Sequence, residues 1–122
     1  FEQACDGGAM GGCANLGVLV EKTDPVRSVS LYRKACDNRY MGGCRNLGAM
    51  YFHGLGVAKD VKRAATLFKQ ACDGGFFIAC HDLGVLVDEG RGVQKDGARA
   101  ASLFKKACDG GDQDACAAMK NP

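Results

Sequence analysis

The sequence predicts an all-α protein: an α/α solenoid, or superhelix, of stacked antiparallel helix pairs stapled by disulfides. Three observations predict it. The eight cysteines stand at 5 and 13, 36 and 44, 72 and 80, 108 and 116, with the members of every pair eight residues apart. The pair starts recur after 31, 36 and 36 residues, and a period of this size marks a repeat array. The surrounding residues keep the same register. Phe1, Tyr32, Phe68 and Phe104 stand four before the first cysteine, and Ala4, Ala35, Ala71 and Ala107 one before it. Leu16-Gly17, Leu47-Gly48 and Leu83-Gly84 stand three and four after the second.

The elements follow in order within one array, 1–122. Residues 1–8 read as the end of a second helix from a partial repeat, and 9–38 as a shortened repeat. Residues 39–74 and 75–110 read as full repeats, and 111–122 as a partial terminal helix. In the stretch from Lys62 to Cys72, the residues Ala64, Leu67, Phe68, Ala71 and Cys72 share one face at 3.6-residue spacing. Asp60 and Asp96 precede such helices as N-caps, and Asp24-Pro25 supplies a cap with proline at the first helical position. Gly74-Gly75 and Gly110-Gly111 end them. The following helix runs from about Phe76 to Asp88, with Cys80, Leu83, Gly84 and Val87 as its inner stripe. Gly17, Gly48 and Gly84 fall inside helices, where glycine costs about 1 kcal/mol against alanine, so close helix contact is expected there. Asp6, Asp37, Asp73 and Asp109 follow the first cysteine of each pair, at helix C-termini where an acid opposes the dipole. They are expected to cap the next helix. No stretch alternates apolar and polar residues as a strand would.

Composition narrows the function classes. Of 122 residues, 47% are hydrophobic and 25% charged, as in an ordinary globular protein and unlike a disordered one. A net charge of +2 is too mild for a nucleic-acid-binding surface. No apolar run approaches the roughly 18 residues of a spanning helix, so no membrane insertion is expected.

The cysteine spacing carries the redox argument. One cysteine in the last turn of a helix and one in the second turn of the next lie across a tight corner, within reach of a disulfide. The expected bridges are Cys5–Cys13, Cys36–Cys44, Cys72–Cys80 and Cys108–Cys116. Zinc ligation and free thiols are the alternatives. Zinc sites pair ligands as Cys-x2–4-Cys, and no such pair is present, so neither metal nor cofactor is expected. Closing a loop of about nine residues contributes roughly 2.5 kcal/mol in the chain-entropy model. Oxidised cysteines imply a secreted or periplasmic compartment. No signal peptide is visible, and Phe1 falls mid-helix by comparison with Phe68, which implies a removed upstream segment.

A helix pair containing Leu-Gly, then Gly-x-Gly-Val-x-x-Asp, then Ala-x-x-x-Phe-x-x-Ala resembles the Sel-one-like repeat, a relative of the tetratricopeptide repeat. Leu47-Gly48, Gly54 to Asp60, Ala64 and Phe68 to Ala71 carry it once. Leu83-Gly84, Gly90 to Asp96, Ala100 and Phe104 to Ala107 carry it again. The cysteine pair within each repeat is similar to the Helicobacter cysteine-rich proteins, a resemblance that implies secretion, disulfides and a link to penicillin binding. The repeat at 9–38 departs from the pattern: Glu21 to Pro25 is five residues shorter and lacks the Gly-x-Gly-Val loop, and Ser28 replaces alanine.

That resemblance directs attention to Ser102-Leu103-Phe104-Lys105, which matches the Ser-x-x-Lys of penicillin-recognising enzymes. The equivalent residues Thr66 to Lys69 and Ser30 to Arg33 show that the tetrad arises from repeat register, and neither Ser-Asp-Asn nor Lys-Thr-Gly accompanies it. A weak β-lactamase or cell-wall-directed hydrolase is thus an alternative reading, and no catalytic residue is assigned. The leading reading is a protein- or peptide-binding scaffold that uses a concave groove lined by the helices after the glycine turns. Asn15, Asn46 and Asp82 stand two after the second cysteine, and Arg45 and His81 one after it. Asparagine both donates and accepts, which suits an extended backbone, while arginine takes a carboxylate with two bonds. Phe52 adds an aromatic candidate. A third reading is a structural spacer within a longer solenoid, with end-to-end self-association through the truncated first repeat.

Overall fold

A computed structural model describes the backbone of residues 10–120 and the side chains of 12–117. The chain forms α1 (Met10–Val20), α2 (Pro25–Asp37), α3 (Met41–His53), α4 (Val61–Asp73), α5 (Phe77–Glu89), α6 (Gly97–Asp109) and α7 (Gln113–Lys120). No strand occurs among the described residues. The expectations for Cys5, Asp6 and the partial repeat 1–8 lie outside the described residues.

The even helices begin alike because each opens on an aspartate. Asp24, Asp60 and Asp96 accept from the backbone N–H of Arg27, Arg63 and Arg99 at 3.1, 3.0 and 3.0 Å. Each such cap contributes about 1 kcal/mol by satisfying a donor that the helix leaves unpaired. Helices end on left-handed residues: Gly75 at φ +92° and Gly111 at φ +103° turn the chain into the next odd helix. Arg39 takes the same role at φ +67° with a side chain that disfavours it.

Among the described residues, the aspartates after the first cysteines do not cap the next helix. α3 and α5 open at Tyr40 and Phe76, neither of which makes a side-chain cap. Asp73 and Asp109 turn back one helical turn instead, each 2.9 Å from the ammonium of Lys69 or Lys105. A cation at that point offsets the unfavourable dipole, and the Lys69 hydrogen bond holds the Asp73 carboxyl below its ordinary pKa.

Three disulfides join each even helix to the next odd one. Cys36–Cys44, Cys72–Cys80 and Cys108–Cys116 have Cα separations of 4.5, 4.7 and 4.7 Å. Cys13 is disulfide-bonded as well.

Packing runs from neighbour to neighbour: α3 against α2 and α4, α5 against α4 and α6, with α1 also reaching α3. Within each helix pair, an aromatic ring of the even helix lies on the glycine of the odd one. A Cβ on Gly17 would stand 2.6 Å from the Tyr32 ring, and one on Gly48 or Gly84 would stand 2.8 Å from Phe68 or Phe104. Leu47, Met50, Tyr51, Leu83, Leu86 and Val87 complete this core together with the buried Ala64 and Ala100. The shortened repeat compensates for its missing loop with polar contacts. The buried Ser28 hydroxyl donates to the Gly17 carbonyl at 2.8 Å, and the Tyr32 hydroxyl donates to Glu21 Oε2 at 2.7 Å. Burial and the Glu21 hydrogen bond push the Tyr32 pKa well above the usual phenol range.

The two full repeats close with the same loop. Leu55 and Asp60 N–H groups donate to Met50 and Tyr51 carbonyls, as Arg91 and Asp96 do to Leu86 and Val87. A Cβ on Gly92 would stand 2.7 Å from the Val61 carbonyl oxygen, so this loop rests on the start of α4 in the preceding repeat.

Alanine is the better helix former, yet Gly48→Ala should destabilise the protein by about 1–3 kcal/mol, because the new methyl overlaps the Phe68 ring. Denaturant unfolding reads this directly. The comparison variant Arg39→Gly should shift the midpoint the other way by relieving a left-handed arginine.

Candidate functional site

Consecutive odd helices α3 and α5 enclose a cleft of about 240 Å³. Phe68, Leu86, Val85 and Ala49 supply its apolar lining, and Arg45, Asp82, His81, His53 and Phe52 its polar and aromatic rim. Phe68 reaches the cleft from α4 because Gly48 lets its ring pass close to α3.

Arg45 and Asp82 are joined across the cleft. Arg45 Nε donates to Asp82 Oδ2 at 2.7 Å, and Nη2 lies 3.4 Å from Oδ1. The pair is half-buried, with side-chain exposures of 34% and 22%, so solvent screening keeps its net worth to about 1 kcal/mol. Its larger effect is geometric. Asp82 orients the Arg45 guanidinium and itself lines the cleft. Of the five guanidinium N–H groups, those beyond the Asp82 fork remain for an incoming carbonyl or carboxylate.

His81 is anchored on its far side. Its Nδ1 lies 3.0 Å from Asp112 Oδ2 at the start of α7, and its ring meets the edge of Phe104 at 5.6 Å. Asp112 Oδ2 is buried and lies off the line of a hydrogen bond, so charge attraction acts there only when His81 is protonated. Asp112 Oδ1 meanwhile accepts from the Asp114 N–H at 3.2 Å. Phe52 is half-buried; the Arg91 guanidinium lies 4.8 Å over its ring, and His53 meets it edge-on at 5.0 Å.

Arg45, Phe52, His81 and Asp82 therefore converge on one cleft. Asn15 is exposed on α1 and Asn46 half-buried on α3, and neither belongs to the cleft lining. Arg91 and Asp112, the partners of Phe52 and His81, were not foreseen. One signal was available: Arg45 and Asp82 are 37 residues apart, one full repeat plus one position, which places opposite charges on adjacent helices. The Ser102 tetrad is arranged differently from a catalytic pair. Ser102 is exposed, and Lys105 donates to Asp109 at 2.9 Å.

A separate cluster lies between even helices α2 and α4. The hydroxyl of Tyr51, a residue otherwise buried, accepts from Arg33 Nη2 at 2.8 Å and from Arg63 Nη1 at 3.3 Å. Both guanidiniums also lie over its ring, at 5.9 and 5.3 Å. The Arg63 hydrogen bond, reinforced by Arg33 and opposed by burial, lowers the Tyr51 pKa from 10.0.

Among the described residues no helix is long and apolar enough to cross a membrane. The Sel1 repeat profile matches residues 9–40, 43–76 and 78–112. Similar solved structures include these three. A Sel1 repeat protein of Oxalobacter formigenes is 30% identical with a TM-score of 0.87, over 90% of this chain and 47% of its own. A protective antigen of uropathogenic Escherichia coli with an SLR fold is 25% identical, TM-score 0.89, over 97% and 26%. Cysteine-rich protein B of Helicobacter pylori is 35% identical, TM-score 0.81, over 94% and 86%. The chain thus spans about half of the first relative and a quarter of the second. No curated protein matches it.

Tyr51 should ionise below 10.0, and Arg63→Gln should return its midpoint upward, as read from its own ring resonances. Because the folded pKa is the lower one, this group's contribution to stability is complete above about pH 10 and fades as pH falls through the folded value. For the cleft, a double-mutant cycle with Arg45→Ala and Asp82→Ala should give a coupling of about 0.5–1 kcal/mol.

Proposed function

We propose, since this chain belongs to the Sel1 repeat family, that it is an extracytoplasmic scaffold capturing an extended peptide segment in the cleft between α3 and α5. The observation that carries the reading is the pairing of an oriented Arg45 guanidinium with an apolar floor of Phe68, Leu86 and Val85 in one cleft. An apolar side chain of the segment fills the floor, and a backbone carbonyl or carboxylate meets the remaining Arg45 donors. Stacked helix pairs present such surfaces by construction. The disulfides, and the likeness to a cysteine-rich protein of Helicobacter pylori, support an oxidising compartment. The alternative hydrolase reading gains no support from Lys105, which is engaged by Asp109.

A displayed peptide library, selected on the oxidised protein, tests the assignment. Arg45→Gln and Phe52→Leu should each weaken a selected peptide by about tenfold or more, while a cooperative unfolding transition shows that the fold is kept. Unchanged affinity in both variants would reject the cleft as the binding site. Intact mass after alkylation of the native protein checks the compartment argument, with no thiol expected to react.

A further inference from the structure

The cluster of Arg33, Tyr51 and Arg63 has no counterpart in the neighbouring repeats. The positions of Tyr51 hold Val20 and Val87, and those of Arg33 hold Lys69 and Lys105. Those two lysines pair with the aspartate one turn onward, at Asp73 and Asp109. Arg33 has Asp37 at the same spacing but turns to the Tyr51 hydroxyl instead. Two cations on different helices thus converge on one neutral oxygen, an arrangement whose mutual repulsion an anion would relieve.

The Tyr51 oxygen already accepts two bonds, so its own O–H is left to donate. Arg33 and Arg63 keep N–H groups beyond those spent on Tyr51, and arginine offers no acceptor. The cleft around them is about 380 Å³, with Thr66 and Gln70 also on its wall. Asp37 is the acidic group on that wall, and Asp60 Oδ1 is taken by the Arg63 backbone N–H. The donors come from three helices, Arg33 from α2, Tyr51 from α3 and Arg63 from α4. A planar carboxylate takes a fork in one plane, whereas a tetrahedral oxyanion takes donors from several sides.

We infer that the Arg33–Tyr51–Arg63 cleft on the even-helix side is an oxyanion site for a phosphate group, as inorganic phosphate or a phosphate monoester. This site is separate from the peptide cleft and does not rest on it.

Inorganic phosphate at pH 7.5 and fixed ionic strength is the probe, followed by calorimetry and by NMR of the Arg and Tyr side chains. The expected result is saturable one-to-one binding with shifts centred on Tyr51, Arg33 and Arg63, and displacement by glycerol 3-phosphate. Arg33→Gln and Arg63→Gln should each weaken binding about tenfold or more, and Asp37→Asn should tighten it. These side chains are exposed, apart from the buried Tyr51, so thermal unfolding should confirm that the arginine variants keep the fold. Absence of saturable binding would overturn the site, as would affinity indifferent to both arginine substitutions. Acetate acting as strongly as phosphate would overturn the tetrahedral assignment.

Discussion

The array depends on one contact repeated along it, the aromatic ring of an even helix sunk onto the glycine of its odd partner. Tyr32 on Gly17, Phe68 on Gly48 and Phe104 on Gly84 set how closely the helices of a pair approach. Glycine costs helix stability, and the ring's buried area repays that cost only because no Cβ stands in the way. The disulfides act on a different joint. They close the corners from each pair to the next, leaving little freedom at Cα separations of 4.5–4.7 Å. Ring and glycine fix the pair, and the bridge fixes the stack.

The candidate cleft is a by-product of that geometry. Phe68 is both the ring that packs on Gly48 and part of the cleft lining between α3 and α5. Charges on successive odd helices then fall opposite one another, as Arg45 and Asp82 do, and the pairing aims a guanidinium without burying it. On the other side of α3, Tyr51 gathers Arg33 and Arg63 from α2 and α4. One helix therefore carries two chemically distinct surfaces: an apolar cleft with a charged rim, and a ring of donors.

Much of this was legible in the sequence because it repeats. Period, caps at Asp24, Asp60 and Asp96, helix contacts at the inner glycines and cysteine pairing all follow from position alone. What escaped was set by choices among near-equal partners. Asp73 could cap forward or pair backward, and a lysine one turn away decided for the latter. Arg45 and Asp82 each stood out alone in the sequence, and their pairing across adjacent repeats emerged only in three dimensions. Arg91 sits in a loop whose direction the pattern leaves open, so its position over Phe52 could not be read. Asn15 and Asn46 hold the register position of Asp82 on α1 and α3, two repeats and one repeat earlier, and so lie outside the cleft between α3 and α5.

A structure of the oxidised protein with a selected peptide bound is the most direct test of the scaffold reading. The account predicts an extended segment across α3 and α5, with a side chain against Phe68 and Leu86 and a carbonyl or carboxylate on Arg45. A peptide held instead by the even helices, or by the loops alone, would contradict it.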